Sequence, residues 1–344
     1  MRDRAETAGS RQGRATEEPD IRPSGSGRAP GRRPGYLVAV LCLTATALMV
    51  LPGPVPNSPG HLGSLLETFL PWLGLAVPAA LLAALLRRSV LAATAAVLPA
   101  VAWLGLFGTA AFTGGGPESG GFLVVQHNVS DVNPEPAATA RALARTGADL
   151  VALEELTAAA LPAYKAALSP GYPHHATVGT VGLWSKHPLG AVRPVDIRPE
   201  GVGEGWNRGL RATARTPAGE VAVYVAHLPS VRIGPAGFAS GLRDESAALL
   251  AGALRSEPLD RVILVGDLNS TLDDRGLAPV TSLMTEPASA FAFSWPAAFP
   301  LARIDQVLTR SAQVTDVWPL PATTSDHLPV AARIRLRGGG AAPV

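Results

Sequence analysis

Thiols are nearly absent: Cys42 is the single cysteine of the 344 residues and lies in an apolar run. That excludes an internal disulfide framework and a cysteine-rich zinc site. Charge is scarce too. Asp, Glu, Lys and Arg make up 16% of the chain, against a usual quarter, and 29 basic and 27 acidic residues leave a net charge of +2. No general basic excess points to nucleic acid. Against these shortages, 47% of residues are hydrophobic and mean hydropathy is +0.22. The apolar residues are therefore unevenly distributed, which argues against a uniformly soluble enzyme.

Residues 1–35 hold eight arginines, five acidic residues and many Gly, Pro and Ser, without apolar periodicity. Such a segment cannot bury enough surface to offset chain entropy and reads as a disordered tail. Three apolar stretches follow, Tyr36 to Pro52, Leu62 to Leu86 and Val90 to Phe112. About 20 helical residues cross a bilayer's hydrocarbon layer, so residues 36–112 are expected to form three transmembrane helices, the first being marginal in length. A buried soluble helical bundle and a cleaved signal peptide are the lesser alternatives, the second because LPGPVP after the first stretch lacks a small-x-small cleavage site. Arg28, Arg32 and Arg33 flank the first stretch, Arg87 and Arg88 separate the second from the third, and Gly53 to His61 has no Lys or Arg. The positive-inside bias places the N-terminus in the cytoplasm and everything after the third span outside.

Residues 113–121, TGGGPESGG, read as a flexible linker. Residues 122–337 are enough for one well-cored domain, and 338–344 form a second disordered tail. The runs FLVVQHNV, DLVALEE, VAVYVAHL, RVILVGDLN, RIDQVL and PVAARIRL have the β-branched, apolar character of buried strands. Helical spacing lies between them, giving a mixed α and β order.

Nearly every one of these runs ends in polar residues foreign to it. Gln126 and Asn128 interrupt the first, Glu154 and Glu155 close the second, and His227 follows the third. Asp267 and Asn269 follow the fourth, Asp305 sits in the fifth, and Asp326 and His327 precede the last. An isolated Asp or Asn after a strand is ordinarily a turn or cap; the set together reads as a site. Mg²⁺ or Mn²⁺ takes oxygen ligands and needs only one or two carboxylates, which Glu155, Asp326 and the Asn128 carbonyl would supply. His327 beside a carboxylate such as Asp305 would be held in one tautomer and kept cationic, while Asp267 would accept a proton from water. Arg208 and Arg211 in WNRGLR are candidates for a substrate phosphate, with a solvated edge-strand role as the bland alternative.

In order along the chain, QHNV (126–129), LEE (153–155), AHLPS (226–230), GDLN (266–269), RIDQVL (303–308) and SDHLPV (325–330) resemble the motif set of the endonuclease/exonuclease/phosphatase superfamily. The resemblance implies a DNase I-like fold: a four-layered α/β (α+β) sandwich of two packed mixed β-sheets flanked by helices. It also implies roles. Glu155 matches the metal-binding glutamate and Asn128 its helper; Asp267 matches the residue that activates water and Asn269 its phosphate-binding partner. Asp305 matches the partner of the histidine at His327, Asp326 a second metal-side carboxylate, and His227 a histidine at the scissile phosphate. Glu154 stands where many members have Gln, and Gln306 where Tyr or His is common.

Residues 122–337 hold 19 basic and 20 acidic residues, a balance of −1, which disfavours a nucleic-acid substrate. A nine-residue linker would hold the domain within roughly 15–20 Å of its last span. Three spans before such a domain also resemble actinomycete membrane proteins associated with glycopeptide (teicoplanin) resistance. That likeness implies a metal-dependent phosphoesterase acting on a lipid-linked phosphate or pyrophosphate. The alternatives are a surface-tethered nuclease and a non-catalytic envelope scaffold, and no sequence feature sets the oligomeric state.

Overall fold

The computed structural model describes residues 35–112, 121–285 and 290–336. Apart from Gly35 and Gly121, the expected tail, linker and C-terminal segment lie outside the described residues.

The N-terminal apolar region folds as α1 (Tyr36–Val50), α2 (Leu62–Thr68), a 3₁₀ turn (Leu70–Leu75), α3 (Ala76–Arg87), α4 (Val90–Ala95) and α5 (Val97–Phe112). Two continuous helical segments, Leu70–Arg87 and Val90–Phe112, are long and apolar enough to cross a membrane. The expectation of three transmembrane helices is corrected here. At 15 residues α1 spans about 22 Å, short of a hydrocarbon layer of about 30 Å; it ends at Leu51, where Pro52 disfavours helix. The second stretch divides near Phe69 because Pro71 opens a new turn. The third is interrupted at Ala96, where Pro99 has no N–H for the Ala95 carbonyl. Val38 and Cys42 of α1 pack on Ala80, Ala84, Ala92 and Ala96, while Leu85, Leu86, Val101 and Phe112 stay exposed.

The remaining chain builds two sheets. One has the order β12 (Ala312–Pro319), β13 (Val330–Leu336), β1 (Phe122–Asn128), β2 (Leu150–Glu154), β4 (Val181–Ser185), β3 (His174–Val178). The other runs β11 (Asp305–Arg310), β10 (Val262–Asp267), β7 (Gly219–Ala226), β6 (Gly209–Thr216), β5 (Leu189–Pro194). A two-residue ribbon, β8 (Ile233–Gly234) with β9 (Gly237–Phe238), stands apart. Each sheet mixes parallel and antiparallel pairs. Apolar residues from both sheets, among them Val124, Leu183, Val223, Ile263 and Ile334, form the core between them.

Helices cover the outer faces. Against the first sheet, α6 (Pro136–Ala144) and α7 (Leu161–Leu168) bury Leu143, Tyr164 and Leu168 with Val151 and Trp184. Against the second, α8 (Gly241–Arg255) buries Leu250 and Leu254 with Tyr224 and Leu264, and the short α9 (Ala278–Thr281) adds Val280. The four layers expected from the motifs are present. Two registers position the chemistry: in parallel β1 and β2, Asn128 pairs with Glu154, and in antiparallel β10 and β11, Asp267 pairs with Asp305.

The segment between α1 and α3 docks directly onto the sheets' side of the molecule. Glu67 Oε1 lies 2.7 Å from Arg275 Nη2, Phe238 N–H donates to the Gly60 carbonyl at 2.9 Å, and Trp72 Nε1 donates to the Leu301 carbonyl at 2.8 Å. The domain is therefore seated against its helices by contact, beyond what a nine-residue linker would impose.

Candidate active site

Period-two alternation sends Gln126 and Asn128 to one face of β1 and His127 to the other. His127 accordingly lies outside the site: it is buried against Thr323 Oγ1 at 2.9 Å, and burial drops its pKa to about 3. On the site face, Gln126 Nε2 donates to Glu154 Oε2 at 2.8 Å and to Asp305 Oδ1 at 2.9 Å. Asn128 Nδ2 donates to Asp267 Oδ2 at 3.0 Å, while its Oδ1 accepts the Ser130 N–H. The amide thus orients Asp267 and keeps one oxygen lone pair free.

Asp267 sits at the tip of β10, beyond Gly266, whose φ of 145° only glycine tolerates and whose added Cβ would collide with the Ala226 carbonyl. Asn269, at φ 47°, returns its N–H to Asp267 Oδ1 at 2.9 Å and its Nδ2 to the Leu228 carbonyl at 3.0 Å. Burial, reinforced by Asp305 and opposed by His327, raises Asp267 to about 7. His327 Nδ1 lies 2.8 Å from Asp305 Oδ2, and its Nε2 lies 3.8 Å from Asp267 Oδ2. Burial works against the His327 charge, but Asp305 and Asp267 outweigh it and hold the imidazolium up to about 10. Burial would likewise raise Asp305; the His327 cation and hydrogen bonds from Ser294 and Gln126 push it below the ordinary carboxylate range.

Glu155, at φ 58°, turns its side chain into the same pocket. Its Oε1 lies 3.8 Å from His227 Nε2, which lies 3.7 Å from Asp267 Oδ2. His227 is fully buried and its pKa falls to about 3, through burial first and then the Arg208 cation, so it is a neutral imidazole. Arg208 Nη1 stands 3.3 Å from His227 Nδ1, with its guanidinium 5.1 Å over the Trp206 ring. Glu155, His227, Asp267, His327 and Asp305 therefore form one continuous series of close approaches.

One expected site residue, Arg211, stands apart, and a second, Asp326, lies exposed next to His327. Arg211 is 5% exposed, and its guanidinium forms a bidentate pair with Glu257 at 2.9 and 2.8 Å and also reaches Thr213 Oγ1. Its donors are spent in a buried ion pair, which corrects its reading as a phosphate ligand. Asp326 is exposed; its carbonyl accepts the Ala297 N–H at 2.7 Å. Among the described residues, the titratable group whose ligand atoms lie within 4.8 Å of one another is Asp267, Asp305 and His327, a set that holds neither Asp326 nor Glu155. The pocket nevertheless fits a hard cation. Its donors are carboxylate and amide oxygens, the ligand type such an ion takes, and Glu155 keeps a 27% exposed side chain.

Supporting residues went unread in the sequence. Ser325 Oγ donates to the Asn128 carbonyl and accepts the His327 N–H, at 2.7 and 3.1 Å, bracing the two strand ends together. Ser294 Oγ accepts the Asp305 N–H at 3.4 Å. Fully buried Arg243 donates to the Asn269 carbonyl at 3.0 Å. The i, i+2 spacing of Gln126 and Asn128 puts both on one face of β1; the serines and Arg243 carried no comparable signal.

The sequence model described as the endonuclease/exonuclease/phosphatase family matches residues 99–327. No curated protein sequence matches the chain significantly. Among solved structures, a beta toxin variant from Staphylococcus aureus with bound magnesium ions is similar, at 17% identity and a TM-score of 0.50, over 62% of this chain and 99% of that one. An endonuclease/exonuclease/phosphatase family protein from Bacteroides thetaiotaomicron is similar at 18% identity and a TM-score of 0.50, over 63% of this chain and 98% of that one.

Proposed function

The chain belongs to the endonuclease/exonuclease/phosphatase family, and from that premise we propose that it is a membrane-anchored phosphoesterase. It depends on a divalent metal, Mg²⁺ or Mn²⁺, and hydrolyses phosphate or pyrophosphate esters of lipid-linked envelope substrates at the outer membrane face. The observation that carries the chemistry is the unbroken series from Glu155 through His227, Asp267 and His327 to Asp305. Glu155, with Asn128, holds the cation and Asp326 stands at the rim; when bound, the cation polarises the phosphoryl oxygens. Asp267, whose raised pKa makes its ionised form the stronger base, accepts the proton of the attacking water, and Asn269 fixes that carboxylate. His327, kept cationic by Asp305, opposes the charge that builds on the phosphoryl oxygens. Neutral His227 and Arg208 border the same space, and Arg208 offers a fork of donors to a phosphate oxygen.

Membrane anchoring and sidedness are supported by the way the helices meet the domain. Gly35, before α1, lies against Ser89 beside the Arg87 and Arg88 turn, whereas residues 57–72 dock near Arg275 and Leu301 at the other end. Arg87 and Arg88 thus lie at the end of the bundle away from the docked segment, an arrangement that suits a basic turn inside and the domain outside. On this reading residues 122–337 are the catalytic domain and lie outside. The test is a substrate panel for full-length protein in detergent with Mg²⁺ or Mn²⁺, setting lipid pyrophosphates and phospholipids against plasmid DNA. Release of phosphate or a phosphorylated head from the lipids, reduced at least about 100-fold in Glu155→Ala, is expected. Preferential plasmid nicking would establish the nuclease alternative, and inactivity on every phosphoester the scaffold.

A further inference from the structure

Two cavities stack between the helices and the catalytic sheets. The outer one, about 570 Å³, lies between the 271–285 and 290–308 segments and the α5 residues Leu106, Phe107 and Ala110. The inner one, about 450 Å³, runs along Trp72, Leu75 and Val77 on one helical segment and Ala100, Trp103 and Leu104 on the other. Both are of ligand-site size, and they share Pro71, Phe291 and Phe293 as walls. The shared wall is aromatic: Phe293 stacks on Trp72 at 5.8 Å and Phe291 meets Trp103 at 6.2 Å.

Polarity changes along the stack. The inner cavity is lined by apolar residues, one to two helical turns deeper than the outer. The outer one carries Arg303, Asp273 and the hydroxyls of Thr68, Thr271 and Thr285. Among the described residues Arg303 donates to the Ala290 carbonyl at 3.0 Å and makes no ion pair within 4 Å, with Asp273 in particular. Thr271 Oγ1 is buried without a hydrogen-bond partner, an arrangement that ordinarily destabilises. A polar compartment with one cation, one anion and an unsatisfied hydroxyl, outward of an apolar slot, has the amphipathic order of a lipid. None of Asp267, Asp305 or His327 lines either cavity, so the place is separate from the candidate active site.

We propose that this cleft holds one bilayer phospholipid with a zwitterionic head, its phosphate at Arg303, its ammonium towards Asp273 and an acyl chain between Trp72 and Trp103. The proposal rests on the reading that these helices lie in a bilayer. The probe is phosphatidylethanolamine bearing a diazirine in its acyl chain, irradiated with the full-length protein in nanodiscs and followed by peptide mapping. Labelling of residues 70–77 and 100–104 is expected, reduced at least about fivefold by Ala110→Trp, which fills the outer cavity, and by Arg303→Gln. Leu85→Trp, on an exposed face, leaves it unchanged. Labelling of the exposed faces around Leu85 and Val101 but not of the cleft overturns the proposal while the membrane reading stands. Absence of label from all helices overturns both. Stronger cleft labelling by the phosphatidylglycerol analogue overturns the zwitterionic assignment.

Discussion

Arg208 and Arg211 are three positions apart in one motif, yet one reaches the pocket and the other is consumed by Glu257. The sequence could not separate them, because the partner lies 46 residues away. Their variants should separate cleanly. Arg208→Ala is expected to lower turnover at least about tenfold with little change in melting temperature. Arg211→Met, which leaves buried Glu257 with only the more distant Arg193 at 3.9 Å and the Tyr224 hydroxyl beside it, is expected to cost about 3 kcal/mol of stability by chemical denaturation. The same pair gives a pH signature: the Arg211 hydrogen bonds and charge, aided by Tyr224, overcome burial and pull Glu257 down to about 2. A depressed folded pKa stabilises above the ordinary value of about 4.5 and is lost as pH falls towards 2. His327 has the opposite sign. Its raised pKa stabilises fully below about 6.5, and the contribution disappears as pH rises through about 10. Melting temperature should therefore fall between about pH 6.5 and 10 in the native chain, with a shallower slope in His327→Gln.

At the scale of elements, polar residues closing apolar runs were the legible signal, since a buried strand has no use for them until its end. The site positions so identified, apart from the exposed Asp326, meet in one pocket, held by the Asn128 with Glu154 and Asp267 with Asp305 registers. Which face each side chain takes also depends on backbone at single residues, notably Gly266. Gly266→Ala is expected to lose at least about 3 kcal/mol or fail to fold, since it combines a φ of 145° with a collision at the Ala226 carbonyl. Circular dichroism melting reads this directly. The helical breaks were legible only in part. Pro71 and Pro99 interrupt the backbone hydrogen bonding, but whether such an interruption kinks a span or divides it depends on neighbours that sequence spacing does not reveal.

For the whole molecule, the least legible feature was the seating of the catalytic sheets on the helices. It joins Glu67 to Arg275 across 208 residues and Thr68 Oγ1 to Asp274 Oδ2 across 206, at 3.3 Å; composition and motifs are silent on pairings of that range. Glu67→Gln is expected to loosen it by about 1–2 kcal/mol, measurable as faster hydrogen exchange in residues 57–68 with exchange in β1 and β10 unchanged. The seating also means that the polypeptide stretch after Phe112 is not the sole bond between the halves. Were a protease to sever that stretch, the severed catalytic half should remain attached through the Glu67 and Trp72 contacts and stay with the sedimenting vesicles, parting from them only when those contacts are dissolved as well.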